Sequence, residues 1–125
     1  MWQRMLWLAA MGSLGTVCRY WVDMLVTTRF GTKFPWGILV VNAAGCFIFG
    51  LVYSIAEHRL PASEEARLII LTGFVGAFTT YSTFAFQTAW LLRDAQWLLA
   101  GVNIVSQIAL GLVGIFLGIA LGRRF

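Results

Sequence analysis

Between positions 73 and 84 the chain reads Gly73-Phe74-Val75-Gly76-Ala77-Phe78-Thr79-Thr80-Tyr81-Ser82-Thr83-Phe84. Two glycines, four hydroxyl side chains and four aromatic rings fall inside a stretch that otherwise reads as membrane-spanning. Lipid offers the backbone no hydrogen-bonding partner, so non-helical backbone at membrane depth persists only where it is buried in protein or lines a wet cavity. Gly73 and Gly76 loosen a helix, and Thr79, Thr80, Ser82 and Thr83 can satisfy backbone groups that a break frees. Freed carbonyls can coordinate a small hard cation, and the positive end of the following half-helix can face an anion. Tyr81 and Phe84, three residues apart on one helix face, can turn their positive ring edges toward an anion. Plain aromatic packing is the alternative. The segment is a candidate ion or substrate site.

The elements that must carry this segment are apolar and long. The chain is 60% hydrophobic and only 11% charged, with a mean hydropathy of +0.83. A soluble domain is about a quarter charged, so this chain has too little polar surface for a water-facing globule. Four apolar segments run from Arg4 to Thr28, Trp36 to Ala56, Ala66 to Leu92 and Trp97 to Leu121. Each has the roughly 20 residues a helix needs to cross the hydrocarbon core. The expectation is an all-α membrane protein, one domain over residues 1–125, with four transmembrane helices and the third broken. The first segment is read as a retained span rather than a signal peptide, because no small-residue cleavage site ends it. Trp2, Trp7, Trp36, Trp90 and Trp97 stand near segment ends, as an interfacial belt does. Pro35 suits the start of the second helix. Pro61 through Glu65 reads as a turn followed by a cap at Ser63.

Counting helical rise from the face that holds Lys33 and Arg93 puts one polar layer in all four spans. Arg19 lies roughly 13 Å deep, Asn42 roughly 9 Å, Tyr81 roughly 16 Å, and Asn103 and Gln107 about 9 and 15 Å. Intramembrane polar groups face a bundle interior or a wet cavity. Arg19 either draws an anion into a vestibule or is a snorkelling, topology-setting arginine, and Asp23 one turn on is a ready partner for it. Asn42 can donate to an anion or bond another helix. Asn103, Ser106 and Gln107 read equally as helix–helix glue. The stripe Gly114-x-x-x-Gly118-x-x-x-Gly122 lets helices approach closely, either between subunits or within one.

Several function classes drop out. The acids are Asp23, Glu57, Glu64, Glu65 and Asp94, with no carboxylate pair in a core and no Ser-His-Asp set, so an enzyme is not expected. Cys18 and Cys46 read as small apolar filler and His58 as a loop residue, without metal-ligand spacing. The net charge of +4 comes from residues scattered at span ends, without the basic stripe that nucleic acid requires. Arg4, Arg59, Arg67, Arg123 and Arg124 face one side; Arg29, Lys33 and Arg93 face the other. So weak a bias permits insertion in both orientations and hence an antiparallel homodimer.

Taken together these motifs resemble the Fluc/CrcB family of fluoride channels. Met11-Gly12-Ser13-Leu14-Gly15-Thr16-Val17-Cys18-Arg19-Tyr20 is similar to the family's first-span pattern. Gly37 through Gly50, with Asn42 inside it, resembles the second-span pattern, and Gly73 through Phe84 the third. The fourth segment is similar only in character. The resemblance implies an antiparallel, dual-topology homodimer with two fluoride pores, passively exporting fluoride across a bacterial inner membrane. It implies pore roles for Asn42, Tyr81, Ser82, Thr83 and Phe84, and a vestibule role for Arg19. It implies a structural Na+ at the dimer centre, held by the backbone carbonyls of Gly76 and Thr79. Gln87, Asn103 and Ser106 are weaker pore candidates. The implied partners are fluoride, sodium, a second copy of the chain and the lipid bilayer.

This chain departs from the family's pattern at several points. Tyr81 replaces a usual phenylalanine, Ala77 a glycine, Ala85 a serine, Gln87 a glutamate and Ile38 a threonine. The competing class is a small four-span proton-coupled multidrug exporter. That mechanism needs a membrane-buried carboxylate, and the first span offers only off-centre Asp23 beside Arg19.

Overall fold

A computed structural model describes residues 1–58 and 64–125, and every regular element in them is helical. The first, α1 (Trp2–Phe30), runs unbroken for 29 residues. It stops at Gly31, whose φ of 86° lies where glycine sits without strain. The Gly31 N–H still closes on the Thr27 carbonyl at 2.9 Å. A short loop buries Phe34, whose ring meets Trp36 edge-on at 4.8 Å. From there α2 (Trp36–His58) crosses back. Its helical backbone includes His58, which the sequence alone assigns to the following loop. The expected turn at Pro61, the cap at Ser63 and the charge of Arg59 lie outside the described residues.

The third run changes character along its length. It opens as α3 (Glu64–Leu68), widens into a π-helix (Ile69–Val75) and tightens again in α4 (Gly76–Phe78). Thr79 (φ −78°, ψ 157°) and Thr80 (φ −150°, ψ 115°) are both extended. Helix resumes as α5 (Tyr81–Arg93). A tight link, with Arg93 bonded to Asp94 at 3.2 Å, leads into α6 (Trp97–Gly122).

The chain is a membrane protein. Trp36–Glu57, Glu64–Arg93 and Trp97–Gly122 are long and apolar enough to cross a bilayer. The helix α1 has the length, but Arg4, Ser13, Thr16, Arg19, Asp23 and Thr27 dilute its apolar character. Length and hydropathy therefore coincide in three of the four expected spans. Trp2, Trp7, Trp36, Trp90 and Trp97 are all exposed.

Packing is closest between α2 and α6, while α1 crosses the π-helix and α4. The glycine stripe of α6 serves the first of these contacts. Gly114, Gly118 and Gly122 are buried, and a Cβ on Gly118 would strike the Phe47 carbonyl oxygen and stand 2.7 Å from the Leu51 nitrogen. The stripe thus packs α6 on α2 within one subunit. The bundle places Asn42 of α2 and Gln107 of α6 beside the extended residues Thr79 and Thr80.

Candidate functional site

The site is built where helical hydrogen bonding stops. Thr79 is the last residue to close the ladder, donating its N–H to the Val75 carbonyl at 3.0 Å. The next N–H, that of Thr80, turns to the Asn42 side chain and donates to Oδ1 at 2.8 Å. Asn42 answers by donating from Nδ2 to the Thr80 carbonyl at 3.1 Å. The same Nδ2 donates to Oε1 of Gln107 at 3.0 Å. One carboxamide therefore satisfies both backbone groups of an extended residue at membrane depth, as such backbone requires.

Thr80 also starts the next helix. Its Oγ1 accepts from the Thr83 N–H at 3.3 Å, which is the N-cap bond of α5. It lies 3.0 Å from Thr83 Oγ1 and 3.3 Å from Ser82 Oγ. The hydroxyls of Thr80, Ser82 and Thr83 thus gather at the α5 N-terminus, the positive end of its dipole.

These diversions release two carbonyls. In an uninterrupted helix the Thr80 N–H would serve the Gly76 carbonyl and the Thr83 N–H the Thr79 carbonyl. Both N–H groups are spent elsewhere. Gly76 is exposed, and with Thr79, Gly45, Cys46, Phe49 and Val75 it lines an apolar groove of about 220 Å³. Gly45 has no room for a side chain, because a Cβ there would strike Thr79 Cγ2 and lie 3.2 Å from Phe78 Cδ1. Among the described residues no three His, Cys, Asp or Glu side chains come together. The oxygens offered to a hard cation here are backbone ones.

The rings of Tyr81 and Phe84 meet edge-on, 5.7 Å between centroids and 65° between planes. Tyr81 is 79% exposed and Phe84 half-buried. Asn103 belongs to a second cluster. It is fully buried and donates to Thr88 Oγ1 at 2.9 Å, and Thr88 donates to the Phe84 carbonyl at 2.8 Å. This pins α6 to the turn that carries Phe84. Ser106 bonds back to the Asn103 carbonyl of its own helix. Gln87 stands apart, in a pocket of about 350 Å³ shared with Lys33, Phe34, Asp94 and Gln96.

Arg19 is half-buried on α1. Among the described residues it has no ion pair, and Asp23 is not its partner. Asp23 Oδ1 instead accepts from Thr27 Oγ1 at 3.3 Å and abuts Gly37 at the start of α2. Helical spacing alone suggests the Arg19 pair; the close α1–α2 corner claims the carboxylate.

Comparison with known proteins decides the family. The family model described as "CrcB-like protein, Camphor Resistance (CrcB)" matches residues 6–119. The chain belongs to the CrcB family. A relative from Nitrosococcus oceani, named fluoride-specific ion channel FluC, is 50% identical over 123 residues, 98% of each chain. One of the same name from Solidesulfovibrio magneticus is 46% identical over 98% of each chain. Another, from Maridesulfovibrio salexigens, is 47% identical over 94% of each chain. These CrcB relatives are named as channels, and the chain is not an enzyme. Within the CrcB fold, residue typing along the sequence names two members of the site only as part of a group, Thr80 among the hydroxyls and Gln107 among the helix-bridging amides, and does not give their partners. Thr80 is hidden beside Thr79, although Thr80-x-x-Thr83 has the spacing of a capping pair. Gln107 enters only as one of several amides at matched depth.

Proposed function

We propose that this chain is a fluoride-selective ion channel that carries fluoride passively out of a bacterial cytoplasm across the inner membrane. The observation that carries the proposal is its 50% identity, across 98% of both chains, to a relative named as a fluoride-specific ion channel. The chemistry at the interruption of the third helix suits that role. Fluoride is small and strongly hydrated, so its path must offer replacement donors without a trapping cluster of charge. Asn42, Ser82, Thr83 and the ring edges of Tyr81 and Phe84 are such groups, and Arg19 is a fixed positive charge for a vestibule. Hydrogen fluoride leaks inward as a neutral acid and dissociates; a selective passive pore lets the trapped anion leave.

The functional unit in this proposal is an antiparallel, dual-topology homodimer of single-domain subunits, with two pores and a central Na+. The carbonyls of Gly76 and Thr79 fit that ion: they are hard oxygen donors, their helical partners are engaged elsewhere, and they border an open groove. A bound cation there would supply positive charge between the pores. The proton-coupled multidrug exporter has no support. The relatives are channels by name, and Asp23 is engaged at the α1–α2 corner.

The test is anion efflux from liposomes containing the pure protein. Fast fluoride efflux with little chloride efflux is expected. No fluoride efflux, with proton-coupled uptake of a lipophilic cation in its place, overturns the proposal.

A further inference from the structure

Hydroxyls that face lipid on α1 satisfy themselves. Ser13 and Thr16 are exposed, and each donates back to a carbonyl of its own helix, Ala9 at 2.8 Å and Gly12 at 2.9 Å. Thr72, in the π-helical segment, is also exposed, yet among the described residues its hydroxyl has no hydrogen-bond partner. A hydroxyl left unanswered in an apolar medium is costly. Thr72 therefore calls for a partner from outside the chain.

It opens on a cavity of about 430 Å³ between the end of α2 and the start of the third span. The two charged residues there do not answer each other. Glu64 and Arg67 stand three apart on α3, the spacing of a helical ion pair, but neither has a salt bridge among the described residues. Arg4 and Glu65 beside them do pair, at 3.1 Å. The Arg67 guanidinium lies instead over the Tyr53 ring, 5.7 Å from its centroid, a contact that gives its N–H donors no oxygen to bond. An anion and a cation thus stand apart at the mouth of the cavity. Thr72, five residues beyond Arg67, lies roughly 7 Å deeper by helical rise. Phe49, Leu68 and Leu71 make the rest of the lining apolar.

We propose that this cavity binds one molecule of phosphatidylethanolamine. The phosphate meets Arg67, the primary ammonium meets Glu64, an ester carbonyl of the glycerol accepts from Thr72, and the acyl chains cover Phe49, Leu68 and Leu71. The order of groups along the lipid is the order of groups down the cavity. Glu64 opposes a headgroup that carries only negative charge. A quaternary ammonium has no N–H to donate to Glu64, whereas a primary ammonium has three. The site asks of the chain only that it lie in a bilayer, so it does not depend on the channel reading. Phe49 also borders the groove at Gly76 and Thr79, and the lipid lies where that groove opens toward the membrane surface.

The experiment uses the full-length protein, stripped of lipid in detergent and titrated with phosphatidylethanolamine, phosphatidylcholine or phosphatidylglycerol of the same acyl chains. Native mass spectrometry reads bound lipid, and thermal unfolding reads its effect on the fold. One phosphatidylethanolamine per chain is expected to bind saturably, about fivefold or more tighter than either other lipid, and to raise the unfolding midpoint. Glu64→Gln is expected to bring phosphatidylethanolamine and phosphatidylcholine within about twofold of each other. Arg67→Gln is expected to weaken both. Arg124→Gln, which removes a basic residue outside the cavity on the same membrane face, is expected to change neither. Tighter binding of phosphatidylglycerol would make Arg67 an ordinary basic anchor and overturns the proposal. So does a preference for phosphatidylethanolamine that survives in Glu64→Gln. Loss of the bound lipid whenever two copies associate overturns it as well, because a second copy then covers the cavity. If Arg67→Gln does not fold, the ranking of the three lipids in the unsubstituted protein and in Glu64→Gln decides.

Discussion

Asn42 and Thr80 form a closed two-bond ring, the side-chain Oδ1 accepting from the Thr80 N–H at 2.8 Å and Nδ2 donating to the Thr80 carbonyl at 3.1 Å. It is the pairing two strands would make, supplied here by one side chain from a neighbouring helix. Asn42→Asp replaces the Nδ2 donor with a second acceptor, facing both the Thr80 carbonyl and Gln107 Oε1. Each buried group left without its partner costs about 1–3 kcal/mol. The variant is expected to unfold earlier on heating in detergent and to lose most fluoride flux. Unchanged flux would remove Asn42 from the site.

Thr80 has the opposite duty, since its hydroxyl serves α5 rather than α4. Thr80→Ala removes the acceptor of the Thr83 N–H, which costs about 0.5–2 kcal/mol at an N-cap. Thr80→Ser keeps it. Thermal unfolding should therefore rank the unsubstituted protein and Thr80→Ser together above Thr80→Ala. Equal midpoints for Ala and Ser would show that the cap contributes nothing.

These two residues also mark how far the sequence could be read. The four helical runs are legible within a few residues, because hydropathy and length follow directly from residue type. Asn42 and the hydroxyls of 79–83 stand out because polar groups are rare in such runs. What is not legible is which polar atom is spent on which. Asn42 Nδ2 looks free for a ligand until α6 brings Gln107 to 3.0 Å. Asp23 looks paired with Arg19 by spacing until α2 packs Gly37 against it. The π-helical segment at Ile69–Val75, against which α1 packs, has no signature in residue type.

The α2–α6 contact makes a sharper test of the glycine stripe. A Cβ at Gly118 would collide with Phe47 and Leu51 backbone, which cannot rotate away. Gly118→Ala is expected to destabilise by about 1–3 kcal/mol, the usual cost of overpacking. At Gly101, on the same helix, a Cβ would meet nothing within 4 Å. Gly101→Ala should leave thermal stability unchanged or slightly raised, since alanine is the better helix former by about 1 kcal/mol. A fall of equal size in both would point to a general loss of helix rather than to this contact.

Because the proposed cation ligands at Gly76 and Thr79 are backbone oxygens, no side-chain substitution removes them. The informative change is in the solution. Replacing Na+ on both sides of the membrane by a bulky organic cation is expected to lower fluoride flux, and returning Na+ to restore it. Flux indifferent to the replacement would leave the released carbonyls without a cation to hold.

Tyr81 carries the clearest departure from the family's pattern, and its geometry says which part of it matters. Its ring meets Phe84 edge-on at 5.7 Å, and that relationship needs only the ring. The phenol lies on a side chain 79% exposed in the single chain, and no hydrogen bond of the described residues depends on it. Ring edges carry the positive end of the aromatic quadrupole, and phenylalanine keeps them. Tyr81→Phe is therefore expected to conduct fluoride within about threefold of the unsubstituted protein, while Tyr81→Leu, which keeps bulk but has no ring edge, loses about tenfold or more. Liposome efflux separates the two. Loss of flux in Tyr81→Phe would instead give the hydroxyl the role assigned here to the ring, and full flux in Tyr81→Leu would take the residue off the ion path.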